Sequence, residues 1–161
     1  MIMTHAKTVL LDQLLANAND RSWYLSFQEV ADGVTDGEAN WKPYSKGHSM
    51  AEIVQHLIYW NRVWQSRFEQ SNVTAVQTLE DNADTFRIGK DRTFSELKKD
   101  LLDTLLSWQD LIISESSLDS KVQGFPEDAE WWAIIGNVAT HNAYHIGQIA
   151  YLRKMQKHTI S

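Results

Sequence analysis

Residues 131–153, WWAIIGNVATHNAYHIGQIAYLR, decide the fold. Trp131, Ile134, Val138, Ile149 and Leu152 recur at helical spacing and give the segment one apolar face. His141 and His145 lie four residues apart, which on a helix stacks two imidazoles one turn apart. At about 100° per residue, His145 points within roughly 20–40° of Val138 and Ile149, and His141 lies at the edge of the same stripe. Both rings are therefore expected to face a core. Upstream, Pro126 suits a first helical turn, with Glu127 and Asp128 near the positive end of the dipole. The spacing predicts a helix from about Glu127 to Gln156.

Three more helices follow on working back along the chain. Thr93 and Glu96 form a capping box, in which each side chain satisfies a free amide of the first turn. Phe94, Leu97, Leu101, Leu105, Trp108 and Ile112 then make one apolar stripe. A second capping box, Ser49 with Glu52, opens a helix carrying Ile53, Leu57, Trp60 and Trp64 and ending near Gln70. The first helix is expected from about Thr4 to Ala31, with Leu10, Leu11, Leu14, Ala18 and Leu25 on one face, until Asp32-Gly33 and Asp36-Gly37 break it. Ser114 to Gly124 reads as a polar loop. Residues 71–92 are polar and weakly patterned, a long connection that suits a lid, a crossover or a partner contact. The expectation is all-α: a single-domain four-helix bundle over residues 1–161, with a long connection between its second and third helices.

Composition supports this reading. The chain has 161 residues, 43% hydrophobic, with only seven Gly and two Pro, few for a protein of many strands and turns. Its net charge of −6 gives no general attraction to nucleic acid or to an anionic membrane. It contains no cysteine, so nothing depends on an oxidising compartment and a cytoplasmic location is expected. A thiolate nucleophile would have to arrive with a cofactor or substrate. The N-terminal apolar run is cut too early for a secretory signal, and no stretch has 18 apolar residues in a row.

The histidines carry the chemistry. Two inward imidazoles must be satisfied, because a buried unpaired polar nitrogen costs on the order of 1–3 kcal/mol. Helix bundles commonly meet that need with a metal between facing helices. His56, beside Ile53, Leu57 and Trp60, is the mid-helix histidine elsewhere that can supply a third ligand. The competing reading is three hydrogen-bonded core histidines and no ion. His5 and His158 are expected to be exposed. His48 precedes the cap Ser49 and lies about two turns from His56, too far to share an ion with it, so it reads as a surface residue. No H-E-x-x-H, no paired E-x-x-H, no Gly-rich phosphate loop and no G-x-S-x-G occurs.

Three segments, DGVTDGEANWKP (32–43), HSMAEIVQHLIYWNRVW (48–64) and WWAIIGNVATHNAYHIGQIAYLR (131–153), resemble the DinB/YfiT-like family of bacterial four-helix bundles. The resemblance covers most of the chain. It matches His56 to the family's histidine of the second helix. It matches His141, His145 and Gln148 to the final-helix H-x-x-x-H-x-x-Q pattern. It implies one divalent ion, nickel or zinc, on His56, His141 and His145, with the open positions taken by water. It also implies, for some members, transfer of a low-molecular-weight thiol, and often a homodimer.

Three neutral imidazoles leave a divalent ion with open positions, the arrangement of a catalytic rather than a structural site. Two reactions on a small-molecule substrate follow: hydrolysis through an activated water, or attack of an activated exogenous thiol on an electrophile. A non-catalytic metal-binding or interaction bundle is the alternative from another class. Asn137, Gln148 and Tyr59 are candidates to support the site by orienting a water or bonding the second ring nitrogen, and Tyr144 to border it. The tryptophans read as core and interface mass. Metal binding is expected to weaken as pH falls through about 6.

Overall fold

In a computed structural model, residues 2–114 and 118–159 are described. Four long helices dominate: α1 (Ile2–Ala18), α4 (Met50–Glu69), α5 (Phe94–Ser114) and α6 (Trp131–Thr159). Two short helices, α2 (Phe27–Val30) and α3 (Asp36–Asn40), bridge α1 to α4, and two 3-10 turns, Val73–Ala75 and Asn82–Phe86, punctuate the connection from α4 to α5. α1 packs on α5 and α6, and α4 packs on the same two, so α1 and α4 lie on opposite corners of a four-cornered bundle. Among the described residues there is no strand, only two isolated β-bridges. Among the described residues no helix is long and apolar enough to cross a membrane.

The core has two halves. One gathers Phe27, Val30, Ala39, Met50, Val54, Leu57, Leu101, Leu105 and Ile149. The other gathers Leu10, Leu14, Phe68, Trp108, Trp131, Ile135 and Val138. Between α4 and α6 sits a fully buried polar link. The Asn61 amide donates to Asn142 Oδ1 at 2.8 Å, Asn142 donates back to Asn61 Oδ1 at 3.0 Å, and Trp108 Nε1 donates to the same oxygen at 2.8 Å. Such a link is satisfied in one register only, so it fixes how α4 slides against α6.

The first helix is shorter than its periodicity suggests. It ends at Ala18, where the Leu15 carbonyl accepts from both Asn19 and Asp20. Residues 19–25 run exposed, and Leu25 is 54% exposed rather than in the core. What overrides the pattern is local chemistry. Ser26 and Glu29 form a capping box that starts α2 afresh, and Thr35 with Glu38 does the same for α3. α2 is tied down by Arg153, which donates to the Glu29 and Val30 carbonyls. α3 is tied down by Asp36, which accepts from the Phe94 amide at the start of α5. The expected boxes at Ser49–Glu52 and Thr93–Glu96 both form.

The last helix starts at Trp131, not at Glu127. Residues 118–131 turn back on themselves. Lys121 bridges Glu130, and the Trp131 and Trp132 amides donate to the Ser120 and Leu118 carbonyls, so backbone groups satisfy the helix start and Pro126 is left in the turn. Gly124, at φ +75°, allows this turn to lie against the first 3-10 turn, because a Cβ there would stand 2.7 Å from Thr74 Cγ2. The loop expected from Ser114 includes residues 115–117, which lie outside the described residues, as do the side chains of His5 and His158.

Candidate metal centre

His56 projects from the middle of α4 and His141 and His145 from successive turns of α6. The register set by the Asn61–Asn142 pair brings them together: one nitrogen from each ring lies within 4.8 Å of the others. The Nε2 atoms of His56 and His141 are 3.2 Å apart. Two nitrogens at that spacing, each about 2.1 Å from one ion, subtend about 100° at it, near the tetrahedral angle. The rings meet edge to face or tilted, with centroids 4.6–5.2 Å apart, so none shields another's nitrogen by stacking.

The electrostatics fit a ligand set. His56 is 3% and His145 9% exposed, and His141 is partly buried. Burial, followed by the neighbouring His145, His141 and His48 rings, pushes His56 down to about 3. Burial and then His145 push His141 down to about 4. Burial also lowers His145, partly opposed by its bond to Gln148. All three are therefore neutral near pH 7, the state in which imidazole offers a lone pair to a metal. In neutral rings the outer nitrogens also need partners. His145 Nδ1 donates to Gln148 Oε1 at 2.7 Å, and His56 Nδ1 lies 2.6 Å from Thr85 Oγ1.

Two cavities meet at the cluster. The larger, about 660 Å³, is lined by Tyr44, Lys46, His48, Tyr144, Gln148 and Tyr151 among others, with His145 and Phe86 on its inner wall. The smaller, about 470 Å³, is lined by all three histidines with Trp60, Trp64, Asn82 and Asn137. His145 and Phe86 border both. Phe86 is clamped between His48 and His56, stacked on each within 10° at 3.9 and 4.0 Å.

With this geometry established, comparison with known proteins is informative. The profile of the DinB superfamily matches residues 18–149. The chain belongs to the DinB superfamily. A solved DinB-like protein from Bacillus subtilis, YjoA, aligns over 92% of each chain with a TM-score of 0.58 and 16% identity, a likeness in fold. No curated protein matches the chain.

This DinB chain distributes its candidate residues unevenly. His56, His141 and His145 converge, Gln148 bonds His145, and Asn137 and Tyr144 line the cavities. Tyr59 turns elsewhere: its hydroxyl accepts from the Leu79 amide at 2.8 Å, and it lines neither cavity, so it anchors the long connection instead. His48 is not in the cluster, as its distance along the helix predicts, but it is more than a surface residue: it stacks on Phe86 and pairs with Glu52 at 3.5 Å. Trp60 and Trp64 line the smaller cavity, whereas Trp131 is core. Thr85 and Phe86 were invisible to sequence reasoning. They sit in a polar, aperiodic connection, and only contacts across 29 or more residues give them a role.

Proposed function

We propose that this DinB protein is a metal-dependent enzyme in which a divalent ion, zinc or nickel, is held by His56, His141 and His145 and a small electrophile is attacked by an exogenous low-molecular-weight thiol. The observation that carries this reading is the cluster of three neutral imidazoles, all lining the smaller cavity, with His145 also bordering the larger one. A transfer between two organic molecules needs room for both beside one activating centre, and hydrolysis needs room for one. When bound, the ion supplies Lewis acidity, lowering the pKa of a ligated thiol or water.

The remaining work falls to side chains of the chain itself. The three histidines contribute no charge, so the ion keeps its full positive field for an anionic nucleophile. Gln148 orients His145 from behind. The larger cavity, with Tyr44, Tyr144 and Tyr151 around it, offers an apolar wall for the body of one reactant, and Lys46 a cation at its rim. The absence of cysteine means that no internal thiol competes for the electrophile. In the transfer, the thiol proton passes to solvent, the C–S bond forms, and the electrophile's leaving group departs with the bonding pair.

Attack by water is the second reading. It is favoured by Asn82 and Asn137 in the smaller cavity, whose amides can hold a water beside His141. One experiment separates the readings. Zinc- and nickel-loaded protein would be assayed for loss of a model alkyl or epoxide electrophile with and without added thiol, and for ester hydrolysis, alongside His145→Ala. Thiol-dependent turnover abolished in His145→Ala supports transfer. Turnover of esters alone supports hydrolysis. Stoichiometric metal with no turnover of either kind leaves a binding module.

A further inference from the structure

Thr85, in the second 3-10 turn of the connection, is 2% exposed and belongs to no helix of the bundle. Its hydroxyl makes two short contacts. One is to the Asn82 carbonyl oxygen at 2.6 Å, the other to His56 Nδ1 at 2.6 Å. A threonine hydroxyl has one proton and two lone pairs, and a carbonyl oxygen can only accept. The proton must therefore go to Asn82, because the reverse arrangement would hold two oxygens lone pair to lone pair at that distance. Thr85 Oγ1 is left as an acceptor toward His56, so Nδ1 must bear the ring proton. A neutral imidazole protonated at Nδ1 has its lone pair on Nε2, and Nε2 is the atom that faces His141 at 3.2 Å.

We propose that Thr85 is a positioning residue of the metal centre: the chain from the Asn82 carbonyl through the Thr85 hydroxyl to His56 holds that histidine in the Nδ1–H tautomer, with the Nε2 lone pair turned to the ion. This role rests on the metal reading above. It also assigns a purpose to the long connection. Residues 82–86 fix the ring twice, by the hydrogen bond at its edge and by the Phe86 face stacked on it. Asn82 is itself held by Trp60 of α4, whose Nε1 donates to its Oδ1 at 3.1 Å. The rotamer and the tautomer of one ligand are thus set by a segment that supplies no ligand.

The test uses the full chain, first without metal. Long-range 1H–15N correlation of the ring nitrogens reads each histidine tautomer directly. The wild type should show His56 protonated at Nδ1, Thr85→Ser should keep that signature, and the near-isosteric Thr85→Val should lose it. Competition titrations with zinc and with nickel should then show Thr85→Val weakened by about 10–100-fold and Thr85→Ser within about threefold of wild type. Near-ultraviolet circular dichroism would confirm native packing in both variants. An Nε2–H signal at His56 in the wild type, or unchanged tautomer and affinity in Thr85→Val, overturns the proposal. Failure of the wild type to bind either metal, with His56 protonated at Nδ1, overturns the metal reading instead and is distinguishable from failure of the tautomer argument.

Discussion

Replacing Asn61 by alanine should destabilise the protein by about 3–5 kcal/mol, far more than loss of an ordinary polar side chain. Asn61 and Asn142 are each 0% exposed. Asn61→Ala strands three groups at once: the indole N–H of Trp108, and both the carbonyl and the amide of Asn142. Each buried unsatisfied group costs about 1–3 kcal/mol, and water reaching in from the smaller cavity, which Asn61 borders, holds the sum toward the lower end. At about 2–4 °C per kcal/mol for a chain of this size, the melting temperature should drop by roughly 10 °C. Urea denaturation would measure it, with the slope m unchanged. Asn142→Ala should cost less, about 1–2 kcal/mol, because Asn61 keeps its bonds to the Leu57 carbonyl and to the Trp108 indole. The double variant should cost about 2–3 kcal/mol less than the sum of the two, because the second substitution removes the Asn142 groups that the first strands. Single losses under about 1 kcal/mol, or strict additivity, would refute the argument that this pair locks α4 against α6.

The remaining expectations concern the site. Loss of metal affinity on acidification should set in below the range of an ordinary imidazole, rather than near 6, because His56 and His141 titrate near 3 and 4 and His145 is also lowered; titrations between pH 8 and 4 that show a steep fall already above about 6.5 would contradict the burial argument. The metal-free protein should lose stability earlier, progressively from about pH 6.5 down to about 3. Unfolded histidines take up protons below about 6.5 while the folded ones resist until near 4 and 3, so the unfolded state binds more protons and gains as pH falls; His56→Gln should flatten that dependence in thermal melts. Gln148→Leu should weaken zinc binding by about 10–100-fold through His145 alone, and an affinity unchanged in a titration would remove Gln148 from the site.

Helices α4 and α5 were legible because apolar and polar positions on them alternate at the helical period, and because Ser49–Glu52 and Thr93–Glu96 announce their starts. The first-helix boundary was not, because its apolar spacing continues to Leu25 although the backbone turns at Asn19. The signal that was present, the S-x-x-E at Ser26 and the T-x-x-E at Thr35, is local and easily overrun by a periodic count. The start of α6 was misplaced because Pro126 and two acidic residues satisfy the usual rules, while the real cap is supplied by the carbonyls of Leu118 and Ser120, backbone groups that no side-chain pattern reports. The candidate site histidines, His56, His141 and His145, follow from spacing and face. Thr85, Phe86 and the Asn61–Asn142 pair do not, since each acts through partners distant along the chain.

The most direct test of the central claim, that three imidazoles from two helices grip one ion, is X-ray absorption spectroscopy on protein loaded with one equivalent of zinc or nickel. The account predicts first-shell nitrogen or oxygen scatterers at about 2.0–2.1 Å with outer-shell features of three imidazoles, one of which disappears in His56→Ala. A spectrum with one imidazole or none, or one that His56→Ala leaves unchanged, would contradict it.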